Sequence, residues 1–426
     1  MKMKMIARSI ALLAFAAVAG QASAAGFQLL EQNASGIGNA YAGSAAVAEN
    51  ASTIFFNPAG MTQLQAREAS VGLSLVRPTF KFSNQGSSTG ALSGSGTGND
   101  AGSWAFIPNG YLSWGLSKDL YVGVGFGAPF GLVTEYDNPW LGGAQAIKFD
   151  IKTYNINPSV AYRINDKVSV GGGLNYQRME AEYVRLATVT SAALAATRVT
   201  LDAGNNAWGW NVGALFTLSP STKVGVSYRS KIKHELKGDL SFSGPAAGVA
   251  PTLTTGSAKA SVDLPDTFIL SVVQNLNDKW EMLGDISWTG WSSIPKVDIV
   301  RTSGILSGGT VQTLDTHFRD TWRYALGANY RLSDMVKLKF GVAYDQTPVP
   351  DAQHRLVSLP DNNRTWFSAG AQIKVAKGSV LDLGAAYLNV PESKVDNNQT
   401  LLGRGRVTGA YDARVWIMGA QYSMAF

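Results

Sequence analysis

The chain has 426 residues, a formal charge of +6, no cysteine, 46 glycines and only 15% charged residues, against roughly 25% in soluble domains. Three of the surplus cations, Lys2, Lys4 and Arg8, stand at the very start, so the remaining excess is too small to suggest a nucleic-acid surface. Beyond the start there is no run of about 18 apolar residues that would make a spanning helix, which leaves a β-barrel as the way for an exported chain of this kind to cross a bilayer.

The first element is a leader. The three cations precede an apolar run from Ile10 to Gly20 and a small-x-small site at Ala22-Ser23-Ala24, the order of a cleavable export signal. Residues 1–24 are expected to be removed, and no cysteine follows to carry a lipid. Residues 25–65 are rich in Gly and Ala and show no alternation. They read as a plug, or hatch, because a medium-sized barrel leaves a lumen that side chains alone do not fill.

From Arg67 onward the chain has a period of two, and residues 66–426 read as the barrel. In "LYVGVGFGAPFGLVTEY", the even positions Leu120 to Leu132 suit lipid, while the odd positions include Gly123, Gly125, Gly127, Pro129 and Gly131. Glycine here marks a bulge or a close backbone approach, and Pro129 cannot donate its ladder bond. The local ladder should break, either to make room for the hatch or to open the wall sideways. On the strand beginning at Val168, the residues Val168, Val170, Gly172, Leu174 and Tyr176 face lipid, and Met179, Ala181, Tyr183 and Arg185 share the inward parity. "AWGWNVGALFTL", "RYALGANYRL", "MVKLKFGVAYD" and the terminal "WIMGAQYSMAF" repeat the alternation, with Trp and Tyr placed to form interfacial girdles.

Short polar turns at 117–119, 165–167, 219–222, 277–279, 332–334 and 376–378 alternate with long Gly-, Ser- and Pro-rich loops. The expected fold is therefore all-β, a fourteen-stranded antiparallel transmembrane barrel with short turns toward the periplasm and long loops outside. Segments of roughly 15–20 residues give walls ~40–50 Å tall, well above the ~25 Å apolar band.

"AGFQLLEQNASGIGNAYAGSAAVAENASTIFFNPAGMTQL", which contains Asn57-Pro58-Ala59, resembles the N-terminal hatch of the FadL family of outer-membrane transporters for long-chain fatty acids and, in some branches, hydrocarbons. The likeness recurs at "APFGLVTEY" (128–136), "WGWNVGALF" (208–216), "YRSKIKHELKGDL" (228–240), "LPDTF" (264–268), "RDTWRYALG" (319–327) and "DQTPVPDAQHRLVSLPDNNRTWFSAG" (345–370). It implies fourteen strands around a hatch. It also implies a kinked third strand with a lateral opening at Gly127, Pro129 and Gly131, and a ligand pocket touched by Phe27 with Met179 and Tyr183 on its wall. Arg185 falls where similar transporters carry a carboxylate-binding arginine. Where they carry a second cation this chain has Leu314, and Arg319 and His317, of inward parity, are the candidates to replace it.

The expected partners are a hydrophobic small molecule and outer-membrane lipid, with no nucleic acid, cofactor or metal, and the expected state is a monomer. The three histidines, His234, His317 and His354, have no metal-like spacing in sequence, and no catalytic constellation emerges. The alternatives are a hydrocarbon channel on the same frame, a general diffusion porin and, least of all, a barrel lipase.

Overall fold

In the computed structural model, which describes residues 26–90, 94–188, 191–248, 255–304 and 306–426, the alternating segments form one antiparallel sheet that closes on itself. The expected leader lies outside the described residues. The fourteen wall strands are β1 (Arg67–Asn84), β2 (Ala105–Gly115), β3 (Leu120–Gly127, then Gly131–Glu135), β4 (Lys148–Asn165), β5 (Val168–Leu186), β6 (Arg198–Ser219) and β7 (Thr222–Arg229, Ile232–Ser243). They continue as β8 (Gly256–Leu264, Thr267–Asn275), β9 (Trp280–Thr289, Lys296–Arg301), β10 (Thr310–Asp315, Thr321–Arg331), β11 (Val336–Asp345), β12 (Arg364–Ala376), β13 (Ser379–Asn389, Ser393–Asn398) and β14 (Gly405–Ala425). The barrel closes where β14 pairs with β1, from Glu68↔Ala425 to Asn84↔Gly409. The short turns fall at the six expected places.

Alternation decides which side chains meet lipid. Trp208, Trp210, Leu326, Phe340 and Met418 stand exposed on the outer face, while Asn211, Asn329, Lys339 and Gln421 are buried on the inner one. Aromatic pairs such as Trp280–Tyr330 and Tyr387–Trp416, with ring centroids 4.7 and 4.8 Å apart, cover neighbouring strands on the outside.

Residues 26–66 lie inside the lumen. They form only short turns of helix, Ile37–Asn39, Thr53–Phe56 and Pro58–Gln63, because the wall presents hydrogen-bonding side chains rather than a free edge along most of their length. Asn39 Nδ2 donates to Asn329 Oδ1 at 2.9 Å and to the Phe340 carbonyl at 3.1 Å. The Ala34 N–H donates to Gln421 Oε1 at 3.1 Å. The Asn57-Pro58-Ala59 motif is a staple. Asn57 Oδ1 accepts from the Ala59 N–H, and Nδ2 donates to the Ala45 carbonyl within the hatch and to the Ala214 carbonyl of β6. Pro58 needs no partner at the first position of its turn. Wall glycines let backbone meet backbone: a Cβ on Gly225 or Gly341 would overlap the hatch main chain at Ala45 or Asn39.

One ion cluster fastens this plug. Lys339 on β11 is 1% exposed and binds Asp382 of β13 at 3.1 Å, Glu49 of the hatch, and the Ser35 carbonyl at 3.0 Å. Removing one partner of a buried ion pair strands the others at a cost of ~3–5 kcal/mol. Lys339→Met is therefore expected to loosen the hatch and raise single-channel conductance in planar bilayers. Conductance equal to that of the parent would show that the plug does not depend on this cluster.

Candidate functional site

The third strand breaks as its sequence suggests. Below the break, Gly110–Gly115 of β2 pair with Tyr121–Phe126 of β3. Above it, Gly131–Glu135 pair only with β4, and no ladder joins residues 105–109 of β2 to β3 among the described residues. The hatch terminus takes the vacated edge. Gln28 bridges Phe130, the Leu29 N–H donates to the Pro129 carbonyl at 2.8 Å, and the Gly131 N–H donates to the Phe27 carbonyl at 2.8 Å. Gln32 Nε2 reaches the Ala128 carbonyl at 2.8 Å, and a side chain at Gly127 would collide with Gln32.

The lipid-facing parity expected through Leu132 ends at Phe126. Ala128, Phe130 and Leu132 are buried, because the kink turns the chain into the lumen.

Phe130 thereby joins Phe27, Trp291 and Phe318 in an edge-to-face cluster, with ring centroids 5.0–6.2 Å apart, a favoured aromatic geometry. The cluster separates two cavities. The upper one, about 60 Å³, is walled by Phe27, Met179, Tyr183, Leu201, Leu236, Val262, Ile299, Leu314, Phe318, Leu356 and neighbouring apolar groups. The lower one, about 50 Å³, is more polar and is lined by Gln28, Leu29, Pro129, Phe130, Trp291 and Arg229. Both are smaller than the ~150 Å³ apolar cavity known to hold a benzene ring, so even a small ligand must displace side chains. Phe27 belongs to the hatch and not to the wall. Next to it, Gly26 has φ +64° and lies against Trp291, where a Cβ would clash.

Met179 and Tyr183 line the upper cavity, and the Tyr183 hydroxyl donates to the Gln145 carbonyl. Arg185, one inward step above Tyr183, is 7% exposed. Its Nη1 donates to the Leu186 carbonyl at 2.8 Å and its Nη2 to the Val311 carbonyl at 3.2 Å. A second guanidinium converges on the same oxygen: Arg404, from the loop before β14, donates to Val311 at 3.0 Å. Arg404 is 8% exposed, its Nη1 donates to Gln399 Oε1 at 3.3 Å, and among the described residues its Nε has no partner. Burial holds its pKa below the usual arginine value. Among the described residues, neither arginine has a carboxylate in ion-pair range. Two buried like charges sharing one carbonyl are poorly compensated, and an anion between them would supply what is missing.

His317 and Arg319 do not take this place. Strand β10 is interrupted between Asp315 and Thr321, so parity counted across the gap fails. Thr316 and Phe318 are buried, while His317 and Arg319 are exposed. The Arg319 N–H binds the Pro348 carbonyl, and its Nε lies 3.4 Å from the Thr347 carbonyl. Leu314 does face the cavity. Trp291, Phe318 and Arg404 were not foreseen. Trp291 and Phe318 lie in strand interruptions, and Arg404 is more than two hundred residues from Arg185 in the chain. No local pattern links them.

The chain matches the family model described as outer membrane protein transport protein (OMPP1/FadL/TodX) over residues 15–426. It is 28% identical to the long-chain fatty acid transport protein of Escherichia coli K12, with 98% of each chain covered. Its fold superposes on the crystal structure of a Pseudomonas aeruginosa FadL homologue with a TM-score of 0.85 and 25% identity, covering 94% of this chain and 99% of that one. It also superposes on the Ralstonia pickettii toluene transporter TbuX, with a TM-score of 0.68 and 17% identity, over 92% and 99% of the two chains. With the match running through the plug and all fourteen strands, the chain belongs to the FadL/TodX family of bacterial outer-membrane transport proteins.

Proposed function

We propose that this chain is a passive channel for hydrophobic molecules with an anionic head group, long-chain fatty acids first among them. The observation that carries this reading is an apolar cavity whose wall residue Tyr183 lies within electrostatic reach of Arg185 and Arg404, two buried cations with no carboxylate in ion-pair range among the described residues. An alkyl chain suits the apolar wall, and a carboxylate suits the arginine pair. The name of the Escherichia coli relative points the same way.

In this reading the ligand enters from the long-loop side and its chain pushes Phe27 out of the upper cavity. Withdrawal of Phe27 pulls residues 27–29 off the edge of β3. The gap between 105–109 of β2 and the kink at Gly127, Pro129 and Gly131 then becomes the way out, sideways into the membrane. A plug so fully bonded to the wall supports a gated path over a general diffusion porin. No energy source enters the scheme.

A second reading has its own support. Leu314 stands where a second wall cation is expected, and the upper cavity is lined almost entirely by apolar groups, as a neutral hydrocarbon requires. The toluene transporter TbuX shares the fold.

Equilibrium binding to the purified barrel separates the two readings. Charge-assisted hydrogen bonds contribute ~1.5–3 kcal/mol each, so Arg185→Ala and Arg404→Ala should each weaken a long-chain fatty acid by about 10- to 100-fold and leave an alkane of equal length unaffected. Equal loss for both ligands, or none for the acid, would favour the hydrocarbon channel.

The exit is tested by a pin. The chain has no cysteine, so Gln28→Cys with Phe130→Cys places a single thiol pair across the bridge between hatch and β3. Oxidised protein should lose uptake in cells and regain it on reduction. Undiminished uptake with the bridge closed would sink the lateral path.

A further inference from the structure

The outer surface holds a cluster that the transport reading does not use. Asp315 ends the first part of β10, His317 lies in the interruption that follows, and His354 lies in the long loop between β11 and β12. One donor atom from each of these three residues lies within 4.8 Å of the other two. The His317 and His354 rings face each other with centroids 4.4 Å apart, and Asp315 Oδ1 is 3.0 Å from His317 Nε2.

Two features prepare these groups for an ion. His317 adopts a left-handed backbone, φ +45°, uncommon for a residue other than glycine, and its N–H is held by the Pro295 carbonyl at 2.8 Å. His354 Nδ1 lies 2.8 Å from Asp351 Oδ1. With that nitrogen protonated, the opposite one carries the lone pair, the carboxylate–histidine arrangement common behind metal ligands. All the side chains are accessible, with 29–60% of each exposed.

We infer that Asp315, His317 and His354 bind a divalent transition-metal ion of the zinc class, with Asp351 orienting His354 and water completing the shell. Two imidazoles and a carboxylate select such an ion over calcium or magnesium, which prefer all-oxygen shells. Tetrahedral zinc at ~2.0–2.1 Å from each donor brings the donors to within ~3.4 Å of one another, an approach that exposed side chains reach by rotation. The bound ion would tie the β10 interruption, which gives Thr316 and Phe318 to the upper cavity, to the loop that gives it Leu356 and Leu359. It would thus fasten the cavity roof and slow ligand entry. That consequence rests on the transport reading; the ion site itself does not.

The test is calorimetric titration of the untagged, detergent-purified barrel with Zn²⁺ alone, in the presence of excess Mg²⁺. The variants are His317→Asn, which tolerates the left-handed backbone, and His354→Ala. Both are checked for heat-modifiable mobility to establish that the barrel is folded. The expected result is one ion per chain, with affinity at least tenfold weaker in each variant. Three outcomes overturn the site: no saturable binding by the parent, parent-like binding in both variants, or loss in only one, which would deny the bridge between segments. Because no transported ligand is present, failure here leaves the transport reading intact. Failure of the fatty-acid experiments likewise leaves the ion site standing.

Discussion

A strand wall in hydrocarbon must pair its backbone N–H and C=O groups within itself, and the plug of this molecule is arranged around a place where the wall does not. At Ala128–Phe130 the third strand leaves β2, and Pro129 could not have continued the ladder in any case. The exposed edge is completed by the hatch terminus, through Leu29, Phe27 and the Gln28–Phe130 bridge. The plug is thus part of the wall as well as a filling for the lumen. In the gated reading proposed above, moving residues 27–29 would both empty a cavity and uncover a sheet edge, which would make binding and opening one mechanical event. The glycines on the inner wall belong to the same constraint, since only bare backbone lets the hatch settle against β7 and β11.

Two groups of buried cations differ in how the chain compensates them. Lys339 is saturated by Asp382, Glu49 and a carbonyl, and it joins two wall strands to the far part of the hatch. Arg185 and Arg404 share a single carbonyl and, among the described residues, no acid in ion-pair range. The same physics, the cost of taking charge out of water, makes a latch where the chain supplies the anion, and in the proposed reading would make a receptor where the anion is left to the ligand. The guanidinium fork suits the second task, because it can turn from a carbonyl to a carboxylate without changing its own charge.

Most of the frame was legible in the sequence because a barrel obeys a period of exact alternation and its turns are short. The terminal strand from Trp416 to Phe426, the inward set Met179, Tyr183 and Arg185, and the break around Pro129 all follow from parity and proline chemistry. Parity also explains the misses. It holds only along an unbroken ladder, and it failed past Phe126, where the chain turns inward, and between Asp315 and Thr321, where His317 and Arg319 end up outside. The partners that complete each site come from distant segments. Arg404 reaches Val311 from the loop before the last strand, and His354 reaches His317 from another loop. Sequence spacing carries no trace of such meetings, which the closure of the barrel creates.

If the hatch is the gate proposed above, its energetics favour length in the ligand. Freeing Phe27 gives up ~1.5–3 kcal/mol of apolar burial and edge contacts with Trp291 and Phe130 of ~0.5–1.5 kcal/mol each. The two hatch-to-β3 backbone bonds add ~1 kcal/mol apiece. Against a total of roughly 5–8 kcal/mol, each methylene that enters the apolar cavity returns ~0.8 kcal/mol. About six to ten methylenes are therefore needed before the hatch terminus yields, whatever the head group. In the same reading the arginine pair would act earlier, holding the acid end while the chain reaches Phe27. In such an arrangement the cations set which molecules wait at the gate, and the apolar length sets which of them open it.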